Sequence, residues 1–174
     1  MFHLSPTGKT IFLYMCAGAT CPLSTAMVQN SRMSLPIDKI IAGQHDILND
    51  FHYERILRIA SSGCAGYTAA SPSSAEFSLP KLIQPGPTPV RTKEFPLGIP
   101  NPSPSEQERL VSSRRLLHRA VQLVQATISA GGQGHLEQPK GPLSWQDPEV
   151  QLLIKSFCCE LVLIAACAYD LDWP

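Results

Sequence analysis

The first strong pattern in the chain is an unbroken apolar run over residues 10–16, TIFLYMC, which stops at Ala17-Gly18-Ala19-Thr20. A run of strand formers without polar alternation predicts a strand buried on both faces, and the glycine after it predicts a turn into a helix over residues 23–30. Residues 33–38 give a second short strand that closes on Asp38, twenty residues after Gly18. Beyond a loop at His45-Asp46-Ile47-Leu48, the period changes. Phe51, Ile56, Leu57, Ile59 and Ala60 trace one face of a helix ending near Gly63, with His52, Glu54, Arg55 and Arg58 turned to solvent.

Residues 64–70 are apolar enough for a central buried strand, and Pro72 cannot continue its ladder, so the chain leaves the sheet at Ser71-Pro72-Ser73-Ser74. In an open α/β sheet, ligands sit at such carboxyl ends of strands. No Cys, His or Asp lies between Pro72 and Ser78, so a nucleophile in this loop has to be a serine. Residues 78–104 then hold eight of the sixteen prolines, too many for a tight connection, and predict a lid over the site or a strap around the domain.

Ser103-Pro104-Ser105-Glu106 has the form of a helix start, with a capping serine, proline at the first position and an acid at the third. Leu110, Leu117, Val121, Val124 and Ile128 repeat at helical spacing until Gly131-Gly132. Arg109, Arg114, Arg115 and Arg119 give this helix a basic outer face, read as solvated arginines with nucleic-acid contact as the sharper alternative. A short strand over 134–137 stops before Pro139 and leaves Glu137 at another carboxyl edge. A helix over 147–157 leads to a final buried strand over 160–168.

Composition adds bounds. The 174 residues suffice for one domain, and 14 Lys/Arg against 14 Asp/Glu imply no strong global field for nucleic acid or membrane. The cysteines Cys16, Cys21, Cys64, Cys158, Cys159 and Cys167 show no metal-ligand spacing and are expected to be reduced, hence an intracellular chain, nuclear or cytoplasmic, with no metal. Lys9, the apolar residues that follow it and Ala17-Gly18-Ala19 imitate a secretory leader, but a buried strand and glycine turn account for the same residues. Residues 161–169 fall far short of the ~20 needed to span a bilayer, so no membrane partner is expected.

Five strands separated mainly by helices describe a Rossmann-like, mostly parallel α/β sheet in a single domain over 1–174. Strand and Ala17-Gly18, Asp38, Asp46-Ile47, Ala70-Ser71-Pro72-Ser73-Ser74 and Leu136-Glu137-Gln138-Pro139 stand in an order that resembles the S-adenosylmethionine-dependent C5-cytosine DNA methyltransferases. The likeness is greatest to the divergent methyltransferase-like domains of protist transposable-element polyproteins. It implies that Gly18 lies under the methionine part of S-adenosyl-L-methionine, Asp38 binds the ribose and Asp46 the adenine amino group, with Pro72 also on the cofactor side. It also implies that Ser74 stands where the family has its catalytic cysteine and Glu137 where it has the glutamate that holds the target cytosine, with DNA as the partner.

Family chains carry an aspartate and an aromatic residue where this one has Tyr14 and Cys16, and a glycine where it has Thr20. A thiolate forms readily at a cysteine, whereas the Ser74 alcohol needs a base beside it, so the resemblance implies an impaired enzyme. The chain also ends before the family's later arginine motif, target-recognition segment and closing helix, which implies a C-terminally truncated core. Two other readings stand beside this one. Ser71-Pro72 fits half of the loop of adenine amino-methyltransferases, and the sheet could serve as a non-enzymatic scaffold or nucleic-acid-docking module of a polyprotein.

Overall fold

The computed structural model describes residues 10–77, 88–139 and 143–163. The elements run β1 (Ile11–Met15), α1 (Pro22–Gln29), β2 (Met33–Ile37), α2 (Asp50–Ser61), β3 (Ala65–Ala70), α3 (Pro104–Ser129), β4 (Gln133–Leu136) and α4 (Pro148–Ser156), with short 3-10 turns at Gly43–His45 and Leu143–Gln146. The four strands form one all-parallel sheet in the order β2-β1-β3-β4, flanked by helices, an α/β architecture of Rossmann-like kind.

The continuous apolar run of β1 reflects its central place. Leu13 and Met15 are fully buried against α2 and α3, while Phe12 and Tyr14 are buried on the opposite face with Ala17, Ala69 and Met27 of α1. That division follows from handedness. The chain steps from β1 to β2 in one direction and from β2 back across β1 to β3 in the other; the right-handed rule for parallel crossovers then calls for α1 and α2 on opposite faces, as their separate core clusters show. The main core is thus α2 (Tyr53, Ile56, Ala60) and α3 (Leu117, Val121, Val124) on one side of the sheet.

Local signals explain the boundaries. The Ser103 side chain accepts from the Glu106 amide while Glu106 accepts from the Ser103 amide at 2.8 Å, a reciprocal cap that starts α3. Pro36 lies in the edge strand β2. Because the neighbouring Ile37 carbonyl faces β1 and bonds the Cys16 amide, Pro36 points its missing donor outward, where no ladder bond is lost. At the return from α3 to β4, a side chain on Gly132 would come within 2.7 Å of the Ala65 carbonyl, so only glycine allows that approach.

Three expectations need correction. Glu160–Leu163, the described part of the expected final strand, is irregular, and Leu161, Val162 and Leu163 are exposed; residues 164–168 lie outside the described residues. Phe51 is 63% exposed and Tyr53 takes its place in the core, because the buried face of α2 runs through Tyr53, Ile56 and Ala60 at helical spacing and Phe51 falls off it. Arg119 is buried rather than solvated. Of the proline-rich connection, residues 88–103 run irregularly across the surface, anchored by buried Val90 and Arg91; residues 78–87 lie outside the described residues.

Candidate functional site

The reversal of strand order puts a topological switch point between β1 and β3, where the chain leaves the two strands for helices on opposite faces of the sheet, the place at which open α/β sheets take their ligands. The two strands are tied at that point by the Ser71 amide, which donates to the Met15 carbonyl at 3.2 Å. The turn after β1 is held in left-handed backbone at three of six positions, Cys16 (φ 56), Gly18 (φ 67) and Cys21 (φ 46). Gly18 bears this without strain, whereas the two cysteines do not. Nothing lies within 4 Å of where a Gly18 side chain would begin, so the turn faces open space.

Asp38, at the carboxyl end of β2, secures the turn. Its Oδ2 accepts from the Gly18 amide at 3.1 Å and its Oδ1 from the Ile40 amide at 3.0 Å. The Cys21 thiol donates to the Gly18 carbonyl at 3.1 Å, and α1 starts with Pro22 at its first turn and no side-chain cap. Burial pushes the Cys16 thiol up to about 12, with the Asp38 carboxylate adding to the effect, so it stays protonated. Asp46 instead closes a local turn by accepting from the Leu48 amide at 2.9 Å; among the described residues no hydrogen bond joins it to Gly18, Asp38 or Ser71.

Across β3 and β4 the side chains converge differently from the sequence reading. The serine bonded to Glu137 is Ser71, whose hydroxyl donates to Oε2 at 2.9 Å, while the Glu137 amide donates to the Ala70 carbonyl at 2.8 Å. Ser74 is half-buried, and its carbonyl accepts from the Phe77 amide at 2.8 Å. Gln138 donates to the Pro72 carbonyl at 2.6 Å and accepts from the buried Ser144 hydroxyl at 2.9 Å, which fixes the loop after β3 to the end of β4. Beside this group, burial raises the Tyr14 phenol above its usual value and the Glu137 charge raises it further, against an opposing hydrogen bond with Ser71. His135 meets the Tyr67 hydroxyl at 2.9 Å, and burial lowers its imidazole.

The loop is also anchored from beneath. Glu76 receives Arg109 at 2.7 Å, and Arg91 lies 4.0 Å above the Phe77 ring while donating to the Glu76 and Leu110 carbonyls and the Ser113 hydroxyl. The other α3 arginines are committed as well: Arg114 to Asp147 at 3.2 Å, Arg115 to Asp50, and Arg119 to Asp50 and the Ile47 carbonyl. The expected basic face is therefore a set of intramolecular clamps. Periodicity did not reveal this because Asp50, Glu76 and Asp147 come from distant elements.

Ser71, Gln138 and Tyr14 were missed as site residues. The signal for the first two lay in the sequence, since each adjoins a residue already chosen, Pro72 and Glu137. Two shallow grooves, of about 410 and 330 Å³, lie elsewhere, one lined by Leu48, Val111 and Arg115 and the other by Cys21, Val28 and Pro36; neither is lined by Gly18, Ser71 or Glu137. Among the described residues no three His, Cys, Asp or Glu side chains are arranged to hold a metal, and no helix is long and apolar enough to cross a membrane. Comparison with protein families, with curated proteins and with solved structures finds no match for the chain.

Proposed function

We propose that the chain is a methyltransferase-like domain that takes the adenosyl group of S-adenosylmethionine between the carboxyl ends of β1 and β3, with cytosine-C5 transfer impaired because Ser74 stands at the nucleophile position. The observation that carries this reading is the bond between Asp38 and the Gly18 turn. It sets an acid at the end of β2 beside an open glycine at the switch point. The residues fit the group: Asp38 spends one lone pair of each oxygen on a backbone amide and keeps a second on each for ribose hydroxyls. The ligand would supply an electrophilic methyl on its sulfonium; the chain's part is to bind and orient it.

The rival readings have less support. An adenine amino-methyltransferase would carry a second proline and an aromatic residue after Ser71-Pro72, and this loop continues with Ser73-Ser74. A nucleic-acid-docking module would use the α3 arginines, which are paired within the chain. Calorimetric titration of the folded chain with S-adenosylmethionine and its demethylated product tests the cofactor half, and saturable heat is expected; none at millimolar ligand would sink it. For the nucleophile half, Ser74→Cys is expected to form a covalent adduct with an oligonucleotide containing 5-fluorocytosine in the presence of S-adenosylmethionine, and the unmodified chain none.

A further inference from the structure

Resting on the assignment of Ser74 above, we infer that the strap over residues 90–99 positions the loop after β3, and that Arg91 is the positioning residue through which it acts. The strap closes on itself: the Ile99 amide donates to the Val90 carbonyl at 3.0 Å, the Gly98 amide to the Phe95 carbonyl at 3.2 Å and the Phe95 amide to the Thr92 hydroxyl at 3.1 Å. From this closed loop Val90 and Arg91 alone turn inward to full burial, Arg91 with 4% of its surface exposed. The Arg91 guanidinium lies 4.0 Å from the centre of the Phe77 ring. Its Nη1 donates to the Glu76 carbonyl at 3.3 Å and the Ser113 hydroxyl at 3.0 Å, and its Nη2 to the Leu110 carbonyl at 3.2 Å.

Desolvating a cation is costly, and none of the ion pairs among the described residues includes Arg91 to offset it. Burial brings its guanidinium down to about 10, against the more distant charges of Glu76 and Asp147, and its Nε is buried without an acceptor. An apolar side chain would fill the same space at lower cost. What the guanidinium adds is a flat, forked reach from the strap to the loop on one side and to α3 on the other. Those contacts hold the turn that carries Ser74. The Phe77 amide donates to the Ser74 carbonyl at 2.8 Å, and the Phe77 carbonyl accepts from the Leu143 amide at 3.0 Å. Arg109 pins the same turn from a second side, through the Glu76 carboxylate at 2.7 Å and the Thr88 carbonyl at 3.0 Å. Ser74 is thus placed by Phe77, and Phe77 by the strap. Gly98 (φ 148) lets the strap lie on α3, since a side chain there would meet Leu110 at 3.2 Å.

The test follows hydrogen exchange at the Phe77 and Leu143 amides by nuclear magnetic resonance, in the intact chain without ligand. Arg91→Lys keeps the charge and loses the fork and the flat face, and should speed both amides about tenfold, the scale of one lost hydrogen bond to a charged group. Gly98→Ala, which strains the strap on its α3 side, should speed them to a smaller degree. The control is Ile37→Val in β2, a buried site across β1 from β3, which weakens the whole fold by a comparable amount. It should leave Phe77 and Leu143 unchanged, because the loop opens without disturbing β2. Equal acceleration by Ile37→Val and Arg91→Lys would mean that the loop opens only with the whole chain, which makes Arg91 a core residue and overturns the inference. Indifference of Phe77 to Arg91→Lys overturns it as well. If Arg91→Lys does not fold, Gly98→Ala against Ile37→Val decides in the same way. No ligand enters the measurement, so a chain that binds no S-adenosylmethionine removes the nucleophile meaning of Ser74 and leaves the strap's hold on its loop to be judged separately.

Discussion

Asp38 accepts the Gly18 amide at 3.1 Å across twenty residues of sequence, and the same carboxylate holds the Ile40 amide at 3.0 Å. One side chain therefore fixes both the turn after β1 and the exit of β2. Asp38→Ala is expected to cost about 1–3 kcal/mol, the scale for amides that lose a charged acceptor, and to abolish adenosine binding. Asp38→Asn, which keeps an acceptor oxygen, should recover part of the stability. Thermal denaturation of the three chains measures this, and an alanine variant as stable as the parent would mean the bond does not hold the turn.

The α3 arginines should matter to stability and not to nucleic acid. Arg119 is 8% exposed, stacks 4.4 Å from the centre of the Tyr53 ring and donates to the carbonyl of buried Ile47. Arg119→Ala should lower stability by about 2 kcal/mol, from the orphaned carbonyl and the lost stacking. Oligonucleotide affinity, measured from low to moderate salt, should show a slope near zero in the parent chain. A steep slope that disappears in the alanine variant would restore a docking role to this face.

The parts of the fold read from the sequence were those with short-range causes. The run over 10–16, the reciprocal cap at Ser103 and Glu106, the glycine stop at Gly131-Gly132 and the proline exit at Pro72 are each set by a few neighbouring residues. The errors share a different cause. Arg119 looks solvated from periodicity because a guanidinium is polar, yet its partners Asp50 and Ile47 lie some seventy residues earlier. Choosing between Ser71 and Ser74 needed the register of β3 against β4, which brings Ala70 opposite Leu136 and so puts Ser71 opposite Glu137. The strand expected over 160–168 rested on apolar content alone, which cannot distinguish a paired strand from an exposed apolar segment.

Asp147 gives the fold an acid limit. Burial alone would raise its carboxyl, but hydrogen bonds from His118 and the Glu149 amide, with the charge of Arg114, bring it below the usual range. A lowered folded-state value means that folding favours the ionised form, so this contribution is complete above the unfolded value of about 3.9 and is lost as pH falls through the folded one. The stability difference between the parent chain and Asp147→Asn should therefore shrink from pH 5 to pH 3. Chemical denaturation at each pH measures it; a gap that widens on acidification would reverse the assignment.

Cys16 should be the slowest of the described cysteines to react. It sits at the end of β1 with its thiol pushed up to about 12 by burial and by Asp38, whereas Cys64 and Cys158 are exposed. At pH 8 a thiol of that acidity is ionised to about one part in ten thousand, and the thiolate is the form that alkylates. Iodoacetamide followed by peptide mass mapping should label Cys64 and Cys158 first in the folded chain, with the difference erased in concentrated urea. The consequence reaches the proposed chemistry: an inert Cys16 cannot stand in for the nucleophile that Ser74 replaces. Labelling of Cys16 at the rate of Cys64 would show that the turn opens readily, and would return that thiol to the list of candidate nucleophiles.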